Sequence, residues 1–409
     1  MAFDLEQELE DLEGRHLRRR LQVIDACLPG GKVKVDGRVL LNLSSNDYLG
    51  LAGDTRLIKA SQEAAALWGA GSTASRLIVG NLALHQDVEE EVASFKGTER
   101  AVLFNTGYMA NVGVITALMG KGDVILSDKL NHASIIDGMR LSGATFYRYP
   151  HRDLNRLQAL LKKHALARRL LIVTDSVFSV DGDLAPLREL VALKERHGGW
   201  LMIDEAHATG ILGAKGSGLA EAQGVTGSID IHMGTFSKAL GSFGAYVAGK
   251  AALVELLHNR ARSFIYSTAL PPAVLAAIRA ALTIVSQEPA RRIYVLAQAR
   301  LFRKKLQAAG FDTLNSETQI IPVLVGDNQK SLIFADSLRQ AGIMAVAIRP
   351  PTVPPGGARL RFSLSAAHEE ADLERAVNII SEVGKELGLS SGQGSEVRGQ
   401  QKNQVAKRS

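Results

Sequence analysis

From about residue 100 the chain alternates short apolar runs with amphipathic helical stretches, and nothing else in it constrains the fold as strongly. The strand candidates are 101–104, 123–127, 144–149, 170–174, 200–204, 231–235 and 244–248, with helical patterns over 132–141, 154–166 and 185–197 between several of them. An apolar run of this length followed by a helix predicts an α/β domain with a mostly parallel seven-stranded sheet covered on both faces. Ligands of such sheets gather beyond the carboxyl ends of the strands. Asp204, Thr235 and Ser176 all fall at such ends.

The flanking segments follow another pattern. Pro271-Pro272 opens a long helix, as proline does in a first turn where its missing N–H costs nothing, and a second helix is expected over 291–309. Then come a strand over 319–325, a helix over 332–341, strands over 344–348 and 359–364, and a last helix over 369–387, which together predict a smaller C-terminal α+β domain. The first residues predict a helix and a strand pair, Val33–Val35 with Val39–Leu43, joined by an Asp36-Gly37 turn. The expected organisation is therefore an N-terminal segment 1–45, a large domain 46–285, a small domain 286–388 and a disordered tail 389–409. The 409 residues suffice for two domains and a large core.

Composition narrows the classes further. The lone Cys27 excludes an internal disulfide and fits a reducing compartment. The acidic start lacks the basic and apolar regions of a secretory signal. No run approaches the ~18 apolar residues of a membrane span, so the expected location is the cytoplasm, with no membrane partner. Part of the net charge of +6 lies in the tail, where Arg398, Lys402, Lys407 and Arg408 face Glu396. A tail rich in Ser, Gly, Gln and Asn reads as solvated chain rather than a nucleic-acid arm.

The chemistry concentrates in Thr235-Phe236-Ser237-Lys238 and Asp204-Glu205-Ala206-His207. Lys238 follows an apolar run and precedes a loop of small residues, so partial burial would lower its pKa and free its amine. Asp204 ends another apolar run, with His207 three residues on. An amine that can form a Schiff base and a buried carboxylate that can hold a pyridine nitrogen protonated are what an enzyme needs to use pyridoxal phosphate (PLP). Taken singly, Asp204 reads as a helix cap or ion-pair partner, His207 as a core imidazole, and the two as metal ligands lacking a third; no metal site is predicted.

Two further segments support the first. Asn105-Thr106-Gly107-Tyr108-Met109-Ala110-Asn111 follows a strand and opens a helix, where backbone N–H groups and the helix dipole favour phosphate. Thr235 and Ser237 could add hydroxyl contacts. His132, at another helix start, could stack on a flat ring, although Asn131-His132-Ala133-Ser134 also reads as an ordinary cap. Gly69–Ala74 matches a loose dinucleotide fingerprint but follows a helical stretch, and Gly244–Lys250 has phosphate-loop spacing but is followed by Ala251. A dehydrogenase or nucleotide hydrolase is poorly supported.

With these motifs in place, the chain from about 40 to 387 resembles the α-oxoamine synthases, within the fold-type I (aspartate aminotransferase-like) PLP-dependent transferases. The resemblance rests on Asn42–Gly50, Phe178–Asp183, Asp204–His207, Thr235–Lys238 and Ile265–Thr268. Ile348–Pro354, Arg359–Arg361 and Ser365–His368 point to the members that condense L-alanine with a pimeloyl thioester, on coenzyme A or acyl carrier protein. The resemblance implies roles residue by residue. Lys238 forms the internal aldimine and moves protons, Asp204 pairs with the ring nitrogen, His132 stacks on the ring, and His207 and Ser179 lie near its phenolic oxygen. Gly107, Tyr108 and Thr235 hold the cofactor, and Thr268 reaches the phosphate of the neighbouring subunit's site in a homodimer. Arg361 binds the amino-acid carboxylate, Asn46 lies near the substrate, and Arg18 and Thr352 line the acyl-donor side. Ala74, in Gly71-Ser72-Thr73-Ala74-Ser75-Arg76, departs from the glycine common there, which leaves acyl specificity less determined than the PLP chemistry. The competing readings are a sister synthase using glycine or serine, against which Pro350-Pro351-Thr352 argues, and a non-catalytic PLP-binding module.

Overall fold

The computed structural model describes residues 4–389; residues 390–409, nearly all of the expected disordered tail, lie outside the described residues. The described residues form two compact units, one of residues 4–45, 180–182 and 295–389, the other of residues 46–179 and 183–294.

The first unit begins with a helix, Leu5–Gly14, whose cap Asp4 accepts the Glu6 and Gln7 N–H groups. Strands β1 (Ala26–Leu28), β2 (Lys32–Val35) and β3 (Arg38–Asn42) then run as an antiparallel meander. Between β2 and β3, Asp36 and Gly37 take φ of 49° and 76°. Two successive positive φ values are what an Asp-Gly hairpin turn supplies.

The second unit carries β4 (Arg100–Phe104), β5 (Val124–Asp128), β6 (Thr145–Tyr149), β7 (Leu170–Asp175), β8 (Trp200–Asp204), β9 (Ile231–Thr235) and β10 (Ala245–Gly249). They form one seven-stranded sheet in the order β4-β10-β9-β8-β7-β5-β6. Strands β9, β8, β7, β5 and β6 pair in parallel, while β10 runs antiparallel to both neighbours. Every residue of β5, β7, β9 and β10 is buried, as in a sheet covered on both faces. The fold is the mostly parallel α/β arrangement that the alternating pattern predicts. The reversal of β10 follows from the short 236–244 connection, which can close a hairpin but cannot make the longer crossover a parallel return requires. Val102, Val114, Ile125, Leu171, Met202 and Val247 belong to one packed core that joins this sheet to its helices.

The first unit ends with β11 (Ile320–Gly326), β12 (Ile343–Met344), β13 (Val346–Ile348) and β14 (Ala358–Ser363), together with helices Asn328–Gln340 and Glu370–Glu386. The strand expected over 344–348 is divided between two sheets. Strand β12 pairs in parallel with β3, while β13 pairs with β14 in the antiparallel sheet β11-β14-β13. The division covers the open edge of the β1–β3 meander, whose unpaired backbone groups would otherwise face solvent.

Candidate active site

The carboxyl ends of β7, β8 and β9 build the site. Asp204 closes β8, and its carbonyl accepts both the N–H and the hydroxyl of Ser176, at 2.8 and 3.0 Å. The next residue, Glu205, donates its N–H to Met233 on β9 at 2.7 Å. With its backbone fixed on both sides, the Asp204 carboxylate has little freedom. Its Oδ1 accepts the Ala206 N–H at 2.9 Å and its Oδ2 accepts Asn111 Nδ2 at 2.8 Å. Asn111 lies one turn into helix Gly107–Leu118 and also donates to Ser134 Oγ at 2.9 Å. Asp175 ends β7 in the same pocket. Burial and the neighbouring Asp204 charge hold its carboxyl well above the usual carboxylate range.

His132 caps helix Ala133–Ser142. Its Nδ1 accepts the Ser134 N–H at 3.3 Å and lies 2.7 Å from Ser134 Oγ. That role places the ring hydrogen of the neutral form on Nε2. Burial lowers its pKa, against the opposing pull of Asp204, so the ring is neutral near pH 7. The loop before it is tied across the sheet by Asn131, which donates to Ser127 Oγ and Val173 O, each at 2.8 Å, and accepts the Asp175 N–H at 2.9 Å.

Lys238 lies in the hairpin between β9 and β10. Phe236 N–H donates to Gly244 O at 2.9 Å, Ser242 N–H to Phe236 O at 2.9 Å and Gly241 N–H to Lys238 O at 2.9 Å, so the loop is closed by its own backbone. Tyr48 Oη lies 2.7 Å from His207 Nδ1 and donates to Asn46 Oδ1 at 2.9 Å. A hydroxyl has one hydrogen, so His207 Nδ1–H is the donor to Tyr48. Asn46 is thereby linked to His207 through one side chain.

A cavity of about 130 Å³ is lined by Gly107, Tyr108, His132, Ser179, Asp204, His207, Thr235 and Lys238, which is the whole expected cofactor set apart from Thr268. Thr268 lies elsewhere in the same unit, where its carbonyl accepts Asn105 Nδ2 at 2.8 Å and its backbone bridges to Ser75. The remaining substrate candidates belong to the first unit. Arg361 on β14 donates to Ser363 Oγ at 2.8 Å. Thr352 Oγ1 accepts from Arg19 at 3.4 Å, whereas Arg18 pairs with Glu13 at 3.6 Å. Sequence reasoning gave no role to Asn111, Asp175 or Ser134. Asp175 carried a usable signal, since it ends the apolar run 170–174 just as Asp204 ends its own. Asn111 and Ser134 meet only through the packing of two helices, which no local pattern shows.

The cavity fits PLP. Thr235 Oγ1 and Asn111 Oδ1 are buried without a hydrogen-bond partner, so a polar ligand would satisfy groups that are costly to leave unpaired. The first-turn N–H groups of Gly107 and Tyr108 have no intrahelical acceptor and suit a phosphate. A Cβ at position 107 would lie 2.8 Å from Thr235 Cγ2 and 2.9 Å from Met233 Cε, so glycine alone lets these elements meet. The Asp204 carboxylate, fixed by Asn111 and the Ala206 N–H, would favour a protonated ring nitrogen. Among the described residues no cluster of three or more His, Cys, Asp or Glu side chains could hold a metal ion.

Comparison with known proteins agrees with this geometry. The profile of the aminotransferase class I and II family matches residues 38–380. An 8-amino-7-oxononanoate synthase from Geobacter sulfurreducens is 54% identical over 391 residues, which is 95% of this chain and 100% of that protein. One from Citrifermentans bemidjiense is 51% identical over 94% of this chain and 98% of its own length. Among solved structures, a serine palmitoyltransferase from S. paucimobilis with a bound PLP–myriocin aldimine superposes with a TM-score of 0.90 at 31% identity, covering 94% of this chain and 98% of that one. An 8-amino-7-oxononanoate synthase from Francisella tularensis gives 0.73 at 30% identity over 85% and 98%. The chain belongs to the aminotransferase class I and II family, in its α-oxoamine synthase branch.

Proposed function

We propose that this chain is a PLP-dependent acyltransferase that condenses L-alanine with a pimeloyl thioester, releasing CO2 and the free thiol and forming 8-amino-7-oxononanoate for biotin synthesis. The observation that carries this reading is the cavity that joins Lys238, Asp204, His132 and Thr235, in a chain that is 54% identical to such a synthase over 95% of its residues. PLP, when bound, supplies an electron sink for the carbanion formed at the α-carbon of the amino acid.

The chain's own residues then have separable tasks. Lys238 would hold the cofactor through its amine, and that amine, when free, would take the α-proton of the amino acid. Asp204, held by Asn111 and the Ala206 N–H, would keep a proton on the ring nitrogen. The neutral His132 would stack on the cofactor ring, and His207, oriented by Tyr48, would with Ser179 serve its phenolic oxygen. Gly107, Tyr108 and Thr235 would take the phosphate, and Thr268 would contribute to the neighbouring subunit's site in a homodimer. Arg361 receives the amino-acid carboxylate, Asn46 borders the substrate, and Arg18 and Thr352 line the path of the acyl donor. Loss of CO2 makes the condensation effectively irreversible.

The sister reaction with serine has one observation in its favour, the 0.90 TM-score to serine palmitoyltransferase. That likeness is one of backbone at 31% identity, and sequence identity favours the alanine enzyme. Among the described residues no helix is long and apolar enough to cross a membrane, in keeping with a cytoplasmic enzyme acting on soluble thioesters. Incubation with alanine, glycine or serine, each paired with pimeloyl, acetyl, succinyl or palmitoyl thioesters, decides between the readings. Product formation confined to alanine and pimeloyl thioester is expected. A preference for serine with palmitoyl thioester would overturn the assignment.

A further inference from the structure

A second charged cluster lies at the same edge of the sheet and has no task in the chemistry above. His151 follows β6 by two residues. Its Nδ1 is 3.0 Å from Asp128 Oδ1 and its Nε2 is 2.7 Å from Asp183 Oδ2. An ionised carboxylate can only accept, so both ring nitrogens carry hydrogen and the ring is an imidazolium. Burial alone would lower its pKa, but the two carboxylates overcome that and push it up to about 9.

Each carboxylate organises one side of the cavity. Asp128 ends β5, and its oxygens accept the Leu130 N–H at 2.8 Å and the Arg152 N–H at 2.9 Å. Its carbonyl accepts the Asn131 N–H at 3.3 Å, so it shapes the turn that delivers His132. Asp183 closes the 177–184 loop, where its carbonyl accepts the Phe178 N–H at 3.1 Å and Val177 bridges to Leu184. Ser179 follows directly. The Phe178 ring meets His151 edge-on at 4.3 Å and 88°. The other charged or titratable groups facing the cluster are Arg152, 3.3 Å from Asp183; Tyr149, pushed up by burial and by Asp128; and Asp175, which also feels the Asp128 charge.

We propose that His151 is a positioning residue, a cationic clasp between Asp128 and Asp183 that fixes the His132 and Ser179 sides of the cavity at the spacing a flat cofactor ring needs. This inference rests on the reading of the cavity as a PLP site. No residue of the clasp touches the reacting atoms. Its effect is on how well the slot is formed before the cofactor arrives, and it should weaken as the imidazolium loses its proton.

The test uses the full chain freed of cofactor, as wild type, His151→Gln and Asp183→Asn. Each is titrated with PLP and with pyridoxamine phosphate, which has no aldehyde and cannot bond to Lys238, between pH 7 and 10. The wild type should bind pyridoxamine phosphate with an affinity that falls through an inflection near pH 9. His151→Gln should bind about tenfold more weakly at pH 7, the worth of one charge-assisted hydrogen bond, and should lack the inflection. Asp183→Asn, which keeps an acceptor but not the charge, should fall between them. Wild-type affinity and an unchanged pH profile in His151→Gln would overturn the inference, whether or not its melting temperature drops. If that variant does not fold, Asp183→Asn decides alone by the same two readouts. A wild type that takes up neither compound would instead overturn the PLP reading itself.

Discussion

Replacing Lys96 with Met should cost this protein about 3–5 kcal/mol, the range for removing one partner of a buried ion pair. Lys96 ends helix Ala83–Lys96, and its ammonium donates to Glu205 Oε2 and to the Ser217 carbonyl. The two side chains are 1% and 0% exposed. Without Lys96, the Glu205 carboxylate keeps the Ala220 N–H at 3.1 Å and His232 Nδ1 at 3.6 Å, and Ser217 O loses its donor. An independent figure comes from proton linkage. Burial would raise the Glu205 pKa, but Lys96 and, after it, His232 outweigh that and hold the group at about 2 against an ordinary 4.5, which corresponds to about 3 kcal/mol at neutral pH for the two partners together. A depressed carboxylate stabilises the fold above its unfolded pKa, so this contribution is complete above pH 4.5 and fades as the pH falls towards 2. In Lys96→Met burial is opposed only by His232 and the Ala220 N–H, so Glu205 is harder to ionise than in the wild type, and the deficit relative to wild type shrinks on acidification. Lys96→Met/Glu205→Leu, which removes both charges, should recover most of the loss. Urea unfolding at equal free PLP, at pH 7 and pH 4.5, measures all of this. A single-variant loss under about 1 kcal/mol, or a deficit that does not change with pH, would refute the reasoning.

Other substitutions address the cavity directly. Lys238→Ala should abolish turnover while melting like the wild type, and appreciable synthase activity in that variant would remove the lysine from its role. Asp204→Asn should retain PLP but lose a factor on the order of 10^2 or more in rate, because a neutral amide cannot hold the ring nitrogen protonated; steady-state kinetics beside the absorbance spectrum check both halves. Gly107→Ala would bring a methyl to 2.8 Å from Thr235 Cγ2. It should destabilise by about 1–3 kcal/mol, as overpacking does, and raise the PLP dissociation constant, whereas Gly97→Ala, where the nearest neighbour is a side-chain atom 3.9 Å away, should leave PLP affinity unchanged.

Most of the seven strands were legible because they are apolar runs of strand length, and the site was legible because its polar residues interrupt those runs at their ends. Lys238, Asp204 and Thr235 stand out for this reason. Direction was not legible, since the apolar run of β10 reads alike either way and only the length of the preceding loop decides it. The division of 344–348 between β12 and β13 was also hidden, because it answers to an open strand edge about 300 residues upstream in sequence. In the cavity, Asn111 and Ser134 escaped notice because each acts by reaching the other across two packed helices. Arg18 and Arg19 show the limit of register in a run of like residues: adjacent in the chain, one meets Glu13 and the other Thr352.

The reversed strand β10 has a consequence for how this catalyst comes together. Because it returns beside β9 at once, the Lys238 amine rides on a tight local loop that can close early, with almost no chain entropy to overcome. Asp204, His132 and Gly107 must each be brought to it from 30 to 130 residues away along the chain. Drift in those distant segments can retune what surrounds the amine while leaving its own scaffold untouched, so one reactive centre can be kept while substrate choice changes around it.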